Sequence, residues 1–138
     1  ECRVMTSDAL FTYTLKNGIH HITALHGTGQ AVESILEHAG SLFVDVPMSE
    51  TVRILIDFHL VRTPPLSEWL MPILAFFQGP ETGHPSRVAY IYSRAARGSI
   101  LSTFLSIQRF LPQRVTLRFF SDADETQAWE WLQAGLNR

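Results

Sequence analysis

The sequence predicts an α/β fold, a five-stranded, mostly parallel sheet with an N-terminal antiparallel hairpin, its elements following one another as ββαβαβαβα. Three observations carry this expectation. A β-rich run breaks at Lys16-Asn17-Gly18 and then resumes, the signature of a hairpin. RILIDF (Arg53 to Phe58) and VAYIY (Val88 to Tyr92) are continuous apolar runs, as in strands covered on both faces, and such strands are usually parallel. Segments of helical spacing lie between the later strands, and that alternation builds a twisted sheet flanked by helices.

Taken in order, Ala9 to Leu15 (ALFTYTL) and Ile19 to Leu25 form the hairpin strands. From Gln30, the residues Val32, Ile35, Leu36, Ala39, Leu42, Phe43 and Val46 recur on one face of a helix that closes at Pro47. Gly27 and Gly29 loosen its start, and Gly40 weakens it without dividing it. After RILIDF, Pro64 and Pro65 end the extended segment, and Ser67 caps a helix running toward Gln78 that Pro72 interrupts or kinks. Beyond Ser93 a turn leads to Ile100, Leu101, Phe104, Leu105, Ile107, Phe110 and Leu111, an amphipathic helix ended before Pro112. Val115, Leu117 and Phe119 alternate along the last strand, and Asp122 with Glu125 forms a capping box for the last helix. That helix has the stripe Ala128, Trp129, Leu132 and Leu136, which makes Trp129 a core residue and sets Trp131 at the stripe's edge. Residues 1–138 form one domain, with 1–8 a flexible N-terminal tail.

A chain of 138 residues, 46% hydrophobic and 17% charged, can bury a single core without staples. Its formal net charge of -2 creates no field that would gather nucleic acid, so nucleic acid is not an expected partner. Cys2 is the one cysteine, which excludes an internal disulfide and a cysteine-based zinc site and suits a reducing compartment; the cytoplasm is the expected location. No apolar run reaches the ~20 residues that span a bilayer, and the opening ECRVMTSD lacks the pattern of a signal peptide.

Residues suited to chemistry are scattered. His20 and His26 share a strand face but stand ~20 Å apart, His20 and His21 point to opposite faces, and His38, His59 and His84 have no ligand spacing. Neither a metal nor a cofactor is expected from this pattern. No serine lies in Gly-x-Ser-x-Gly, and His26-Gly27-Thr28-Gly29-Gln30 lacks the spacing of a phosphate loop, so no catalytic residue is assigned. Asp57, at a strand end, reads equally as a buried acid or as an acceptor for the neighbouring loop.

Topology points to a better place, because ligands of open parallel sheets gather beyond the carboxyl ends of the strands. There the sequence offers His59 and Arg62 after one strand, and Arg94 and Arg97 after another. The two later arginines suit a phosphate or carboxylate, or else pair with acidic neighbours. Leu66, Trp69, Leu70, Met71, Ile73, Leu74, Phe76 and Phe77 surround much of one short helix, more than one core-facing stripe requires. With Phe104 and Phe110 of the following helix they outline an apolar cleft.

The Gly-bounded second strand, RILIDF with its Asp57, and the ending RFFSDADETQAWEWL together resemble the SpoIIAA-like group of STAS domains, with further similarity to CRAL-TRIO lipid-transfer domains. Arg118 and Phe120 fill an Arg-x-Phe strand ending, and Ala128, Trp131 and Leu132 fill an Ala-x-x-Trp-Leu helix motif, the resemblance covering about residues 9 to 136. It implies a regulatory or ligand-binding domain without catalysis. Signalling members carry a phospho-acceptor loop; here the candidate is Ser67, set in Pro65-Leu66-Ser67-Glu68-Trp69 without the preceding Asp or following Gly, and a helix cap is the plainer role for it.

Two functions are expected. The first is a non-catalytic module that holds a small amphipathic or lipid-like ligand. Its lining would be His59, Arg62, Trp69, Leu70, Ile73, Phe77, Arg94, Arg97 and Phe104, the arginines receiving an acidic head group. Peripheral membrane contact is compatible with it. The alternative is a protein-interaction module of the anti-sigma-factor-antagonist type, as a homodimer or with another protein.

Overall fold

The computed structural model describes residues 10–61, 66–79, 83–96 and 109–134, with the backbone alone at 66–70 and at 96. The chain first turns back on itself at Asn17-Gly18. Strands β1 (Phe11–Lys16) and β2 (Ile19–Ala24) pair antiparallel with Lys16 opposite Ile19, so the turn has two residues. Their φ values of 54° and 78° are both positive, as a type I′ turn requires, and asparagine and glycine accept that conformation most readily. Strands β3 (Val52–Phe58), β4 (Ser86–Tyr92) and β5 (Val115–Ser121) then join in turn, each parallel to the one before, in the order β1-β2-β3-β4-β5.

That sequential order decides where the helices lie. Every crossover advances in the same direction, and because parallel crossovers are right-handed the connecting helices fall on one face. Helix α1 (Gly29–Ser41) and helix α2 (Leu66–Gln78) do so: Val32, Ile35 and Ala39 of one and Ile73, Leu74 and Phe77 of the other bury together against Ile22, Ile54, Ile56, Val88 and Tyr90. Helix α3 (Glu125–Gln133) follows the last strand, makes no crossover, and covers the opposite face, where Ala128 and Leu132 pack on Ile19, Leu55, Ala89, Ile91 and Phe120. Strands β3 and β4 are therefore covered on both faces, which is why RILIDF and VAYIY are continuously apolar. Strand β5 is at the edge and alternates, Val115 and Leu117 buried and Thr116 and Arg118 exposed.

Several elements differ from their sequence expectation. Helix α1 stops at Ser41 instead of reaching Pro47: Leu42, Phe43 and Val44 donate to carbonyls three residues back, and Asp45 turns the chain with φ 65°. Phe43 still drops into the core, so the helical period outlasts the helix. Its start is fixed by Thr28, whose hydroxyl accepts from the Ala31 N–H at 3.1 Å. Helix α2 continues through Pro72, held by its buried face, and it begins at Leu66, so that Ser67 sits within the first turn and not ahead of it.

The predicted capping box is absent. A short 3-10 turn, Asp122–Asp124, precedes α3; the Asp122 carboxylate lies 3.2 Å from Arg94 Nε, and Glu125 Oε2 accepts from Trp129 Nε1 at 3.3 Å. Trp129 is partly buried at the flank of Ala128 and Leu132, not inside the core. The helix expected over Ile100 to Leu111 falls mostly outside the described residues, as do the N-terminal tail and Leu136. Among the described residues no helix is long and apolar enough to cross a membrane.

Candidate functional site

The parallel register of β2 and β3 sets Thr23 beside Asp57 and His21 beside Leu55, and strand alternation turns His21, Thr23 and Asp57 toward the α3 face. Asp57 is 2% exposed. A carboxylate so buried needs partners. The His59 N–H donates to its Oδ1 at 2.9 Å, and His59 Nδ1 lies 2.6 Å from the same oxygen. His21 Nε2 is 3.6 Å from Oδ2 and 3.2 Å from Thr23 Oγ1. Burial pushes the Asp57 carboxyl up, but His21 together with the N–H and ring of His59 outweighs it and holds the group below the ordinary carboxylate value.

A carboxylate only accepts, so His59 Nδ1 carries a proton and donates it to Asp57. That is the orienting half of a proton relay. Among the described residues no hydroxyl or thiol hydrogen-bonds to the ring, and the pair fixes a histidine at the carboxyl rim. Trp129 of α3 meets the His21 ring edge-on at a centroid distance of 5.3 Å and covers the cluster. Among the described residues no three or more histidine, cysteine or acidic side chains are placed to hold a metal.

Of the other predicted residues, Arg94 is 71% exposed at this rim, and its 3.2 Å contact with Asp122 lacks hydrogen-bond alignment, so it is a weak surface ion pair. Ile73 and Phe77 are 1% and 2% exposed and belong to the core between α1, α2 and the sheet. Ser67, Trp69 and Leu70 lie on the first turns of α2, where only the backbone is described, and Arg62, Arg97 and Phe104 are outside the described residues. Helix α2 is thus two-sided where it is described: Ile73, Leu74 and Phe77 face inward, while Met71, Ala75 and Gln78 are exposed, Met71 at 68%.

On the opposite face of β2, His20 Nδ1 is 2.8 Å from the Tyr13 hydroxyl, and the His38 ring meets Tyr13 edge-on at 4.4 Å. Burial lowers both histidine pKa values, and the nearby His38 lowers that of His20 further. A histidine held below its unfolded value, about 6.5, contributes stability that is present above that value and lost as pH falls toward the folded pKa. The melting temperature should therefore drop between about pH 7 and pH 5, and His20→Gln with His38→Gln should flatten this part of the profile in differential scanning calorimetry.

The amino rim of the sheet holds residues that were not singled out from the sequence. Arg53 and Arg87 are direct partners across β3 and β4, and with Arg114, Thr51, Ser86 and Thr116 they line a cleft of about 400 Å³. Arg53 Nη1 donates to the carbonyls of Leu132 (2.7 Å) and Ala134 (3.1 Å), Arg87 Nη2 to that of Trp131 (2.7 Å), and Arg114 Nη2 to that of Phe77 (2.7 Å). The signal was present in VRILIDF and SRVAYIY, two apolar strands each with arginine second, which parallel pairing in register brings side by side. Comparison of the chain with protein-family models, with curated proteins and with solved structures finds no match.

Proposed function

We propose that the chain is a non-catalytic, STAS-type binding module that takes an amphipathic ligand, the apolar part lying on the outer face of α2 and the acidic part at the carboxyl rim. The observation that carries this reading is Met71, 68% exposed on a helix whose inner face is already filled by Ile73, Leu74 and Phe77. Apolar surface beyond what the core consumes suits a ligand or a partner. At the carboxyl rim, the one partner of Arg94 among the described residues is Asp122, in a weak ion pair that an acidic head group can displace, and Asp57 keeps the neighbouring His59 ring in one orientation. The α/β sheet with its antiparallel hairpin is the architecture that the resemblance through Arg118, Phe120, Ala128, Trp131 and Leu132 implies.

Native mass spectrometry of gently purified protein, followed by lipid extraction, tests the proposal. A co-purifying amphiphile, or uptake of fatty acid or phospholipid from vesicles, is expected, and Met71→Asp should abolish it while changing stability by less than about 0.5 kcal/mol, as for other exposed sites. Repeated absence of any bound amphiphile, with no uptake, rejects the reading. Concentration-dependent sedimentation that Met71→Asp removes, without bound amphiphile, would instead favour the regulatory protein-interaction module.

A further inference from the structure

The amino-rim cleft lies at the end of the sheet away from the carboxyl-rim cluster of Asp57, His21 and His59, and its chemistry is different. Arg53 and Arg87 stand on adjacent residues of neighbouring strands, where like charges repel. The Arg53 guanidinium is destabilised as a cation first by burial and second by Arg87. The three carbonyls they bond belong to the end of α3, whose dipole favours cations but supplies only about half a unit of negative charge. Neither arginine is paired with a carboxylate among the described residues. Arg87 also stacks on Trp131, 4.5 Å from the ring centroid, and its Nε is buried without a hydrogen-bond partner.

Helix capping therefore accounts for one nitrogen of the Arg53 guanidinium and one of the Arg87 guanidinium, and among the described residues no carboxylate offsets these two charges beside the roomy, polar cleft. A guanidinium has five N–H donors in a fixed fork, a shape that matches oxyanions. Thr51 and Thr116 line the same cleft. From this we infer that the cleft between Arg53, Arg87 and Arg114 is an anion site for a phosphate group, free or esterified. A dianion with several acceptor oxygens would balance the two adjacent charges and accept from guanidinium N–H groups that the helix carbonyls do not use. The inference stands apart from the amphipathic-ligand proposal, since it uses neither α2 nor the carboxyl rim.

The test is titration of the full chain with inorganic phosphate and with glycerol phosphate by isothermal calorimetry, beside sedimentation with vesicles of phosphatidic acid or of phosphatidylcholine. Saturable binding of the soluble phosphates, absent with chloride at equal ionic strength, supports a site for a free phosphate or phosphate ester. Binding to phosphatidic acid vesicles, with no binding to phosphatidylcholine vesicles and none to the soluble phosphates, supports a site for a lipid phosphate. Arg87→Gln should weaken whichever binding is seen by at least about tenfold. Because Arg87 also caps α3, Thr116→Glu serves as the second variant: it sets a carboxylate at an exposed position of the cleft, leaves every cap in place, and should weaken binding comparably with an unchanged circular dichroism spectrum. Absence of binding to all phosphate probes overturns the inference, as does binding that chloride reproduces or that both variants leave intact.

Discussion

Asp57→Ala is expected to cost about 3 kcal/mol of folding stability, a drop of roughly 10 °C in melting temperature. The side chain is 2% exposed and accepts from both the backbone N–H and the ring of His59, so its loss leaves the turn after β3 without its acceptor and His21 without its buried counterpart. Asp57→Asn keeps the shape and one acceptor oxygen and should cost less, about 1 kcal/mol, which separates charge from geometry. The two variants also share a pH signature. The folded carboxyl lies below its unfolded value of about 3.9, so the native chain holds this contribution above that pH and loses it as pH falls through the lower folded value. Urea denaturation at a series of pH values should show the difference from the native protein shrinking on the acid side and constant near neutrality.

Phe77→Ala should be the more severe change, about 4 kcal/mol, because a phenyl ring removed from a packed site leaves a cavity as well as losing its transfer energy. The ring is 2% exposed and sits edge-on to Phe76, which in turn meets Phe43 beyond the end of α1. The same chain of contacts joins α2 to α1 over the sheet. A ligand-lining Phe77 at an open surface would give a different outcome, a stability change below about 1 kcal/mol with loss of binding. Thermal denaturation of the variant beside Met71→Asp distinguishes the inner face of α2 from its outer one.

Much of this architecture was legible in the residues. Asn17-Gly18 specifies a two-residue turn, and the contrast between continuous RILIDF and VAYIY and alternating Val115 to Phe119 separates strands covered on both faces from an edge strand. What was not legible depends on contacts distant in sequence. Phe43 packs as a helical residue would, so the period did not reveal the end of α1 at Ser41. Asp122 and Glu125 have capping-box spacing, but a 3-10 turn over Asp122–Asp124 sets the helix start at Glu125, so Asp122 is not at its cap position, and Glu125 accepts instead from Trp129.

The candidate sites follow the same rule. The place of His59 after a strand is visible in the sequence, whereas its fixed orientation depends on Asp57, and the proximity of His21 depends on the β2–β3 register. Arg53 and Arg87 are conspicuous in otherwise apolar strands, yet only pairing in register makes them neighbours, and the rule for open sheets directs attention to the other rim.

All of these placements rest on the order of the strands and on which face α3 covers. A carbon- and nitrogen-edited nuclear Overhauser spectrum of the labelled chain tests both at once. The expected result has β3 in contact with β2 on one side and β4 on the other, including Thr23 with Asp57 and Arg53 with Arg87, and the Leu132 methyls in contact with Leu55 and Ile91. Contacts of β2 with β4, or of the Leu132 methyls with Ile54 and Ile56, would contradict it.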